Sequence, residues 1–251
     1  MRKVERLAAI LDRLAEHGSV EVADLASSFD VSEATVRRDL QSLSRSQRVL
    51  RTHGGALSAD ADQEVSTRVK AVLRRAEKKR IGQAAAELVP DGAVVGMTGG
   101  STTLEVARAL ADRHGITIVT NAINVAAELA ERRSVRLIVI GGIIRQSLEL
   151  VGPAAEAMLS NYHLDVAFIG VDGLTAEEGC TTYDEMEAQT DRAFLHRAQC
   201  RVVVSDSSKI GKVTFARIIH LSDIDQIVTD CQVDDQQRGR LEDAGPKLLV
   251  V

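Results

Sequence analysis

The chain has 251 residues, of which 45% are hydrophobic, 27% are charged and only 2% are aromatic. This apolar content supports a large folded core, and the scarcity of aromatic rings argues against a protein that stacks on exposed bases. The net charge of −5 excludes a protein that coats nucleic acid over its whole surface, but it is compatible with one local basic patch.

Three helical patterns open the chain and predict a helix-turn-helix. The first is amphipathic and ends at Gly18, and the second is short and apolar on one face. Ser32 follows a tight turn and is placed to cap the third helix. In that helix Val36 and Leu40 share an inward face, and the opposite face presents small, polar and basic residues. This pattern is typical of a recognition helix that enters the major groove of DNA.

A short β wing is predicted after the third helix. Val49 begins a strand, Gly54 and Gly55 allow a tight turn, and Arg51 stands beside that turn. Between residues 32 and 58 five arginines outnumber two acidic residues, which makes a local basic patch on an acidic protein. A solvated surface helix is the alternative for one isolated charged helix, but the strand and the glycine turn favour a DNA-binding domain.

The pattern predicts a DNA-binding domain at residues 1–58, a linker at 59–76 and a second domain at 77–251. The linker begins with ADADQE and lacks strong periodicity. From Gly92 onward, apolar runs alternate with helical patterns. The runs are GAVVGM, ITIVT, VRLIVI, DVAFIGV, CRVVVS, DQIVT and KLLVV. Continuous aliphatic strands that alternate with helices predict an α/β domain with a mostly parallel sheet, covered on both faces.

Glycines and polar residues follow most of these runs. The carboxyl ends of parallel strands share one edge of a sheet, where open α/β folds bind their ligands. The TGGSTT loop, residues 98–103, follows the first run, and a helix that begins near Thr102 would direct its free amides toward it. The other residues at this edge are Asn121, Gly142, Asp172 and Lys209. This set predicts a ligand site that accepts a phosphate.

Motifs along the chain resemble those of the DeoR-type bacterial transcriptional regulators. VSEATVRRDLQSL followed by LRTHGGA matches the N-terminal signature of that family, including the spacing. TNA at 120–122, GGIIR at 141–145, VGPAA at 151–155, GVDG at 170–173 and DSSK at 206–209 also match, so the resemblance covers nearly the whole chain. The TGGSTT loop departs from the family's Asp-Ser-Gly-Thr-Thr-like loop. It is similar to the phosphate loop of ribose-5-phosphate isomerases, whose fold the family's sensor domain is thought to share.

The resemblance implies a winged helix-turn-helix followed by a sensor domain for a phosphorylated sugar or related metabolite. The residue pattern and the resemblance together predict which residues contact double-stranded operator DNA. They are Ser32, Thr35, Arg37, Arg38, Gln41, Arg51, His53, Gly54 and Gly55. The pattern and the resemblance place at the effector the residues Thr98, Gly99, Gly100, Ser101, Thr102, Thr103, Asn121, Gly142, Arg145, Asp172 and Lys209, with Arg145 expected to close the site.

We therefore expect a sequence-specific repressor of sugar or carbohydrate metabolism genes, whose operator affinity changes when the metabolite binds. A homo-oligomer, dimer or tetramer, is expected because paired half-sites compensate for the weak binding of one helix-turn-helix. A sugar-phosphate isomerase fused to a DNA-binding domain is the alternative from another class, since Asp172 and Lys209 could transfer protons.

Two observations weaken the alternatives. The chain lacks the glycine-rich, Lys-containing loop with a downstream Glu that such isomerases use, and the helical pattern around Glu185 and Glu187 favours a structural role for those carboxylates. We therefore predict no enzymatic activity. A DNA-binding protein without any ligand is a third interpretation, but it leaves the polar strand ends unexplained.

The remaining residues indicate no metal, cofactor or membrane partner. The three cysteines, Cys180, Cys200 and Cys231, stand far apart without metal-ligand spacing, and the six histidines form no ligand set. The N-terminal segment is charged throughout, unlike a secretory signal, and no apolar run approaches membrane-spanning length. We expect a cytoplasmic protein.

Overall fold

A computed structural model describes residues 3–45, 49–52, 54–58, 70–71 and 73–251. The chain forms two compact units that divide between Leu73 and Arg74. His53 and most of the predicted linker, residues 59–69 and 72, lie outside the described residues.

The N-terminal unit is a winged helix-turn-helix. Its elements are α1 (Lys3–His17), β1 (Ser19–Glu21), α2 (Val22–Phe29), α3 (Glu33–Arg45), β2 (Val49–Arg51) and β3 (Gly55–Ser58). Strand β3 pairs antiparallel with both β1 and β2, so the sheet order is β1-β3-β2. The predicted helix-turn-helix and wing are present, and β1 adds a third strand to the wing.

Apolar side chains from all three helices form the core of this unit. Ile10 and Leu14 of α1, Leu25 of α2, and Val36 and Leu40 of α3 are buried together. Each such side chain contributes about 1.5–3 kcal/mol relative to leaving it exposed. The buried face of α3 is therefore the face that its apolar spacing predicts, and the opposite face is left for solvent or DNA.

The second unit alternates strands with helices. Its helices are α4 (Arg75–Ala86), α5 (Ser101–Leu110), α6 (Ile123–Leu129), α7 (Pro153–Leu159), α8 (Glu185–Arg197) and α9 (Asp235–Asp243). Its strands are β4 (Val94–Met97), β5 (Thr117–Thr120), β6 (Arg136–Val139), β7 (Ile143–Ile144), β8 (Leu150–Val151), β9 (Leu164–Ile169), β10 (Gly173–Thr175), β11 (Gly179–Thr182), β12 (Ala198–Val204), β13 (Ala216–Ile219), β14 (Gln226–Thr229) and β15 (Lys247–Val250). Among the described residues, no helix is long and apolar enough to span a membrane.

Seven of these strands form one parallel sheet in the order β15-β14-β12-β9-β4-β5-β6. From β4 the chain order runs outward through β5 to β6, and from β9 it runs the other way through β12 to β15. The order therefore reverses between β4 and β9. In open α/β sheets such a reversal, the topological switch point, opens a crevice at the carboxyl ends of the two strands.

Helices cover both faces of the sheet, as the continuous apolar strands predict. Because successive side chains on a strand point to opposite faces, neighbouring residues of β5 belong to different cores. Ile118 packs in the core that contains Ile81 of α4 and Leu110 of α5, whereas Val119 packs in the core that contains Phe194 of α8.

Two small antiparallel sheets interrupt the alternation of strands and helices. β10, β11 and β13 form one, and β7 and β8 form a hairpin. The hairpin is attached at the end of β5, because the Leu150 amide donates to the Asn121 carbonyl over 2.8 Å and the Ile123 amide donates to the Leu148 carbonyl over 2.9 Å. It therefore brings residues 145–149 to the carboxyl edge of the parallel sheet.

Candidate functional site

Ser32 caps the recognition helix α3, as predicted. Its Oγ accepts a hydrogen bond from the Thr35 amide over 3.3 Å and lies 3.0 Å from the Thr35 hydroxyl. Asp30, which ends α2, adopts a left-handed backbone with φ of 51°. The turn and the cap together fix the point at which α3 begins, and a cap of this kind contributes about 0.5–2 kcal/mol.

Three of the predicted DNA-binding side chains, Arg37, Arg38 and Gln41, are exposed on α3. Arg37 donates to Glu33 over 2.9 Å within the same helix. Arg38 makes no ion pair with any residue in the described ranges, so its guanidinium is available to a phosphate or a base edge. This makes Arg38 the stronger candidate of the two arginines.

Asp39 does not add negative charge to the exposed face of α3. Its Oδ2 lies 2.5 Å from Nε of Arg6 on α1, and the two side chains are 2% and 8% exposed. The pair neutralises its own charge inside the unit and joins α1 to α3. Breaking one partner of a buried ion pair costs about 3–5 kcal/mol, so this contact is structural.

The two wing glycines have different surroundings. Gly54 is exposed, and a Cβ added there meets nothing within 4 Å. Gly55 is buried, and a Cβ added there would lie 1.9 Å from the Val20 carbonyl oxygen. The packing of β3 against β1 therefore explains why residue 55 is a glycine. Gly54 and Arg51 are exposed at the surface of the wing.

The TGGSTT loop connects β4 to α5 at the switch point. Gly100 precedes the helix with φ of 124°, and no side chain caps it. The first amides of a helix lack intrahelical acceptors and lie at the positive end of its dipole. The side chains of Ser101 and Thr102 lie nearly buried in the first turn. An uncapped helix start with adjacent hydroxyls is typical of a phosphate-binding site.

The two remaining threonines of the loop have different partners. The Thr103 hydroxyl donates to the Gly100 carbonyl over 3.0 Å, so it holds the loop in shape. Thr98 Oγ1 is buried and makes no hydrogen bond with the described residues. Thr98 therefore retains its hydroxyl proton for a ligand inside the site, whereas Thr103 has already donated its proton to the loop.

The loops after β4 and β9 approach each other closely across the switch point. A Cβ added to Gly170 would lie 3.1 Å from the Gly99 carbonyl oxygen, and one added to Gly99 would lie 2.3 Å from Oε1 of Glu149. A side chain at position 99 would displace Glu149, and one at position 170 would press on the Gly99 carbonyl. The predicted cradle is therefore bordered by the loop after β9 and by the β7–β8 hairpin.

Asp172 and Lys209 meet at this edge. Nζ of Lys209 donates to Oδ1 of Asp172 over 3.0 Å, and the side chains are 23% and 8% exposed. Asp172 follows β9, and Lys209 follows β12, its neighbour in the sheet. The parallel topology thus brings together two residues that the sequence analysis placed in one site.

Asn121 is held against the hairpin. Its Nδ2 donates to Oε2 of Glu149 over 3.3 Å and to the Leu150 carbonyl over 3.2 Å. Its Oδ1 is buried and has no hydrogen-bond partner among the residues described. Asn121 therefore contacts the protein through its amide nitrogen and keeps its oxygen for another group.

Arg145 and Gly142 lie in the same hairpin region, with different surroundings. Arg145 forms an ion pair with Asp184, and its Nε lies 3.5 Å from Oε2 of Glu187. Gly142 is exposed, and a Cβ there would lie 2.8 Å from the Val151 carbonyl oxygen, so the close approach of β8 requires a glycine. Arg145 is thus anchored by carboxylates, and Gly142 shapes the hairpin.

The sequence analysis missed a buried acidic cluster beside the TGGSTT loop. Oxygens of Glu149, Glu187 and Asp191 all lie within 4.8 Å of one another. Burial, together with the charges of Glu149, Glu187 and Asp172, raises the pKa of Asp191 well above its usual range. Two signals were present in the sequence: Glu149 is a lone acid between leucines, and Glu187 and Asp191 stand four residues apart on one helix.

Comparison with known proteins shows two family models along the chain. Residues 6–62 match the DeoR-like helix-turn-helix domain, and residues 73–231 match the DeoR C terminal sensor domain. The chain is 37% identical over 251 residues to a putative aga operon transcriptional repressor of Escherichia coli O157:H7, covering 98% of this chain and 93% of that protein. It is 30% identical to the glycerol-3-phosphate regulon repressor of Escherichia coli K12, covering 92% of each.

Among solved structures, the chain is similar to ribose 5-phosphate isomerase A from Methanocaldococcus jannaschii. The identity is 22%, the TM-score is 0.40, and the match covers 53% of this chain and 52% of the isomerase.

The fold and the site define a DNA-binding regulator with a separate sensor domain. The chain belongs to the DeoR family of transcriptional regulators. The resemblance inferred from VSEATVRRDLQSL and LRTHGGA is confirmed, and the chain is a sequence-specific DNA-binding transcriptional regulator. Family membership thus assigns it to the regulators and not to the sugar-phosphate isomerases.

Proposed function

We propose that this regulator represses genes of sugar or carbohydrate metabolism, and that a phosphorylated sugar or related metabolite alters its operator affinity. The TGGSTT loop carries the proposal, because its uncapped helix start lies at the switch point of the sheet. The functions of two relatives support it, since one is named as a putative aga operon repressor and the other as a glycerol-3-phosphate regulon repressor.

The phosphate of the effector is proposed to bind at the start of α5. The free amides of the first turn and the hydroxyls of Ser101 and Thr102 donate to its oxygens, and Gly99 and Gly100 give the loop its shape beside Glu149 and Thr103. Beyond the phosphate, the groups that recognise hydroxyl or carbonyl oxygens are proposed to be Thr98, Asn121, Asp172 and Lys209. Arg145 then lies at the rim, held by Asp184.

Operator DNA is proposed to receive α3 in its major groove and the wing beside it. Arg38 carries an exposed charge that forms no ion pair with the described residues, and Arg37 and Gln41 flank it. Ser32 and Thr35 lie at the N-terminus of the helix, where backbone amides face a phosphate. The wing is proposed to contribute Arg51 and Gly54, and Gly55 allows the strand packing that positions these two residues. His53, which lies outside the described residues, stays a prediction from the sequence.

Residues 206–209, the DSSK loop, link the effector site to the start of α4. At one end of the loop, Lys209 pairs with Asp172. At the other end, carboxylate oxygens of Asp206 lie 3.6 Å from Nζ of Lys78 and 3.8 Å from Nε of Arg74. Helix α4 begins at Arg75, directly after the boundary between the two units. A ligand that displaces Lys209 from Asp172 would therefore act on the segment that joins the sensor domain to the DNA-binding domain.

Coupling through this loop is proposed to change the placement of DNA-binding domains in a homo-oligomer, a dimer or a tetramer. One helix-turn-helix contacts a single half-site, so two are needed for tight and specific binding. Allosteric coupling of about 1–3 kcal/mol would change operator occupancy by about 5- to 150-fold. Sedimentation of the purified chain with and without a palindromic operator measures the oligomeric state.

Thermal unfolding of the full chain, measured against a panel of sugars and their phosphates, tests the effector proposal. A ligand at 100 times its Kd stabilises by about 2.7 kcal/mol, and each kcal/mol moves the midpoint by about 2–4 °C at this size. We expect a shift with one phosphorylated sugar, no shift with its dephosphorylated form, and loss of the shift in Ser101→Ala/Thr102→Ala. The exposed Ser160→Ala is the matched control. A panel without any phosphate-dependent shift would contradict the proposal.

A further inference from the structure

Three carboxylates beside the TGGSTT loop have no part in the effector proposal. The oxygens of Glu149, Glu187 and Asp191 lie within 4.8 Å of one another, and the residues are 4%, 6% and 2% exposed. Glu187 and Asp191 project from the same face of α8, and Glu149 reaches them from the start of β8. Burying like charges together is costly, so the arrangement requires an explanation.

Unsatisfied oxygens indicate that the cluster is built for a ligand. Oδ1 of Asp191 is buried and has no hydrogen-bond partner among the described residues. Oδ1 of Asn121 is also buried without a hydrogen-bond partner among the described residues. Nδ2 of the same side chain lies 3.3 Å from Oε2 of Glu149, so Asn121 borders the cluster. A buried oxygen without a donor is unfavourable, and a bound cation removes that cost.

The charges around Asp191 are of one sign. Its neighbours Glu149, Glu187 and Asp172, together with burial, raise its pKa well above the usual range. Of the nearby cations, Lys209 pairs with Asp172, and Arg145 contacts Asp184 and one member of the cluster, Glu187. Among the described residues no ion pair joins a cation to Asp191, so one arginine faces three buried acidic side chains.

We propose that Glu149, Glu187 and Asp191 bind one divalent cation of the oxygen-preferring class, Mg²⁺, Mn²⁺ or Ca²⁺. Carboxylate oxygens are ligands that these ions take, and the three side chains supply them. Ca²⁺ binds oxygen at about 2.3–2.6 Å, so two oxygens on opposite sides of the ion lie about 5 Å apart. Three oxygens that all lie within 4.8 Å of one another are close enough to contact one such ion.

The position of the cluster gives the cation a role in effector binding, and this role rests on the proposed function. The Glu149 carboxylate lies against Gly99, where an added Cβ would be 2.3 Å from Oε1. A phosphate in the TGGSTT loop would be repelled by this carboxylate, and a bound cation removes the repulsion. The cation and the phosphorylated effector are therefore expected to bind cooperatively, each raising the affinity of the other by the same factor.

Mn²⁺ binding to the metal-free full chain, followed by electron paramagnetic resonance without any sugar phosphate, tests the site. We expect one Mn²⁺ per chain, with binding at least tenfold weaker in Asp191→Asn. The matched control is Glu185→Gln, an exposed acid on the same helix, which is expected to bind Mn²⁺ as the parent does. Asp191→Asn removes a charge from a repulsive cluster, so its metal-free unfolding midpoint is expected to be no lower than that of the parent. Absence of saturable binding by the parent, or equal binding by Asp191→Asn, would overturn the proposal.

The Ser101→Ala/Thr102→Ala variant separates the cation site from the effector site. It retains all three carboxylates, so it is expected to bind Mn²⁺ normally and to lose the response to phosphorylated sugars. A parent that responds to a sugar phosphate but does not bind Mn²⁺ would overturn the cation site alone. A parent that binds Mn²⁺ but responds to no phosphorylated compound would support the cation site and overturn the effector proposal.

Discussion

Lys209 donates a hydrogen bond to Asp172 over 3.0 Å and so joins the loops that follow β12 and β9, two neighbouring strands of the parallel sheet. Asp172 is nearly buried, so removing its partner leaves a charge with little access to water. We expect Lys209→Met to lower the free energy of unfolding by about 1–3 kcal/mol, the value of a hydrogen bond to a charged group. Chemical denaturation measures this loss.

The double variant Lys209→Met/Asp172→Asn tests whether the loss in Lys209→Met comes from the stranded carboxylate. We expect it to recover at least half of the lost stability, because the amide carries no charge. If the double variant is as unstable as the sum of the single variants, the two residues are not coupled.

The wing glycines provide a matched pair of substitutions. A Cβ at Gly55 would lie 1.9 Å from a backbone oxygen that cannot move away easily, whereas a Cβ at Gly54 meets nothing. We expect Gly55→Ala to destabilise the N-terminal unit by about 1–3 kcal/mol and Gly54→Ala to change its stability by less than about 0.5 kcal/mol. Unfolding followed by circular dichroism measures both. Equal stability of the two variants would contradict the observed packing of β1 on β3.

Arg38 is expected to contribute more to operator binding than any arginine of the sensor domain. Arg38→Ala removes an exposed guanidinium from the recognition helix and should weaken operator binding by about 1–3 kcal/mol. Arg133→Ala, which removes an exposed arginine of the second unit, is the control and should leave affinity unchanged. Fluorescence anisotropy with an operator selected from random duplexes measures both. Unchanged affinity in Arg38→Ala would remove this residue from the DNA interface.

Asp230 stabilises the DSSK loop in a pH-dependent way. Burial alone would raise the pKa of Asp230, but hydrogen bonds from the Ser207 and Gln232 amides, at 2.7 and 3.0 Å, and from the Ser207 hydroxyl lower it below its ordinary value. Since its folded pKa is depressed, Asp230 contributes stability above its unfolded pKa of about 3.9, and this contribution is lost as the pH falls through the folded pKa.

Asp230→Asn should therefore be less stable than the parent at pH 7, and the difference should shrink as the pH falls below about 4. Urea denaturation at a series of pH values measures the difference. A difference that is independent of pH would show that the amide loses contacts other than those made by the ionised carboxylate.

Arg74 is expected to transmit the effect of the ligand. Its guanidinium donates to Ser207 over 2.9 Å and lies 3.8 Å from Asp206, at the start of the segment that enters the sensor domain. Arg74→Ala should bind operator and sugar phosphate with nearly parental affinity, but the sugar phosphate should change its operator affinity less than twofold. Arg133→Ala again serves as the control. A variant that keeps the full response would show that coupling does not pass through Arg74.

The amino-acid pattern predicted the elements whose periodicity is strong and whose surroundings are uniform. The parallel strands are continuous aliphatic runs because both faces are buried, and α3 shows its inward face through Val36 and Leu40. The polar strand ends Asn121, Asp172 and Lys209 could be placed at one edge because parallel topology makes their position a consequence of strand direction.

The features that the pattern did not predict depend on contacts between distant segments. β7 and β8 contain two residues each, too few for a periodic signal, and their hairpin is what brings Glu149 to Gly99. The charge count between residues 32 and 58 includes Asp39 but cannot show that this carboxylate is buried against Arg6 of α1. Glu187 and Asp191 form a cluster only once α8 packs against that hairpin, so their spacing on the helix was not enough to predict a site.

The most direct test of this account is the affinity of the full chain for its selected operator, measured by fluorescence anisotropy with each sugar phosphate and with the matching free sugar. We predict that one phosphorylated sugar changes the operator affinity by at least fivefold and that the matching free sugar does not change it. In Ser101→Ala/Thr102→Ala the change is expected to be abolished. Operator affinity that no sugar phosphate alters, or that responds unchanged in the loop variant, would contradict this account.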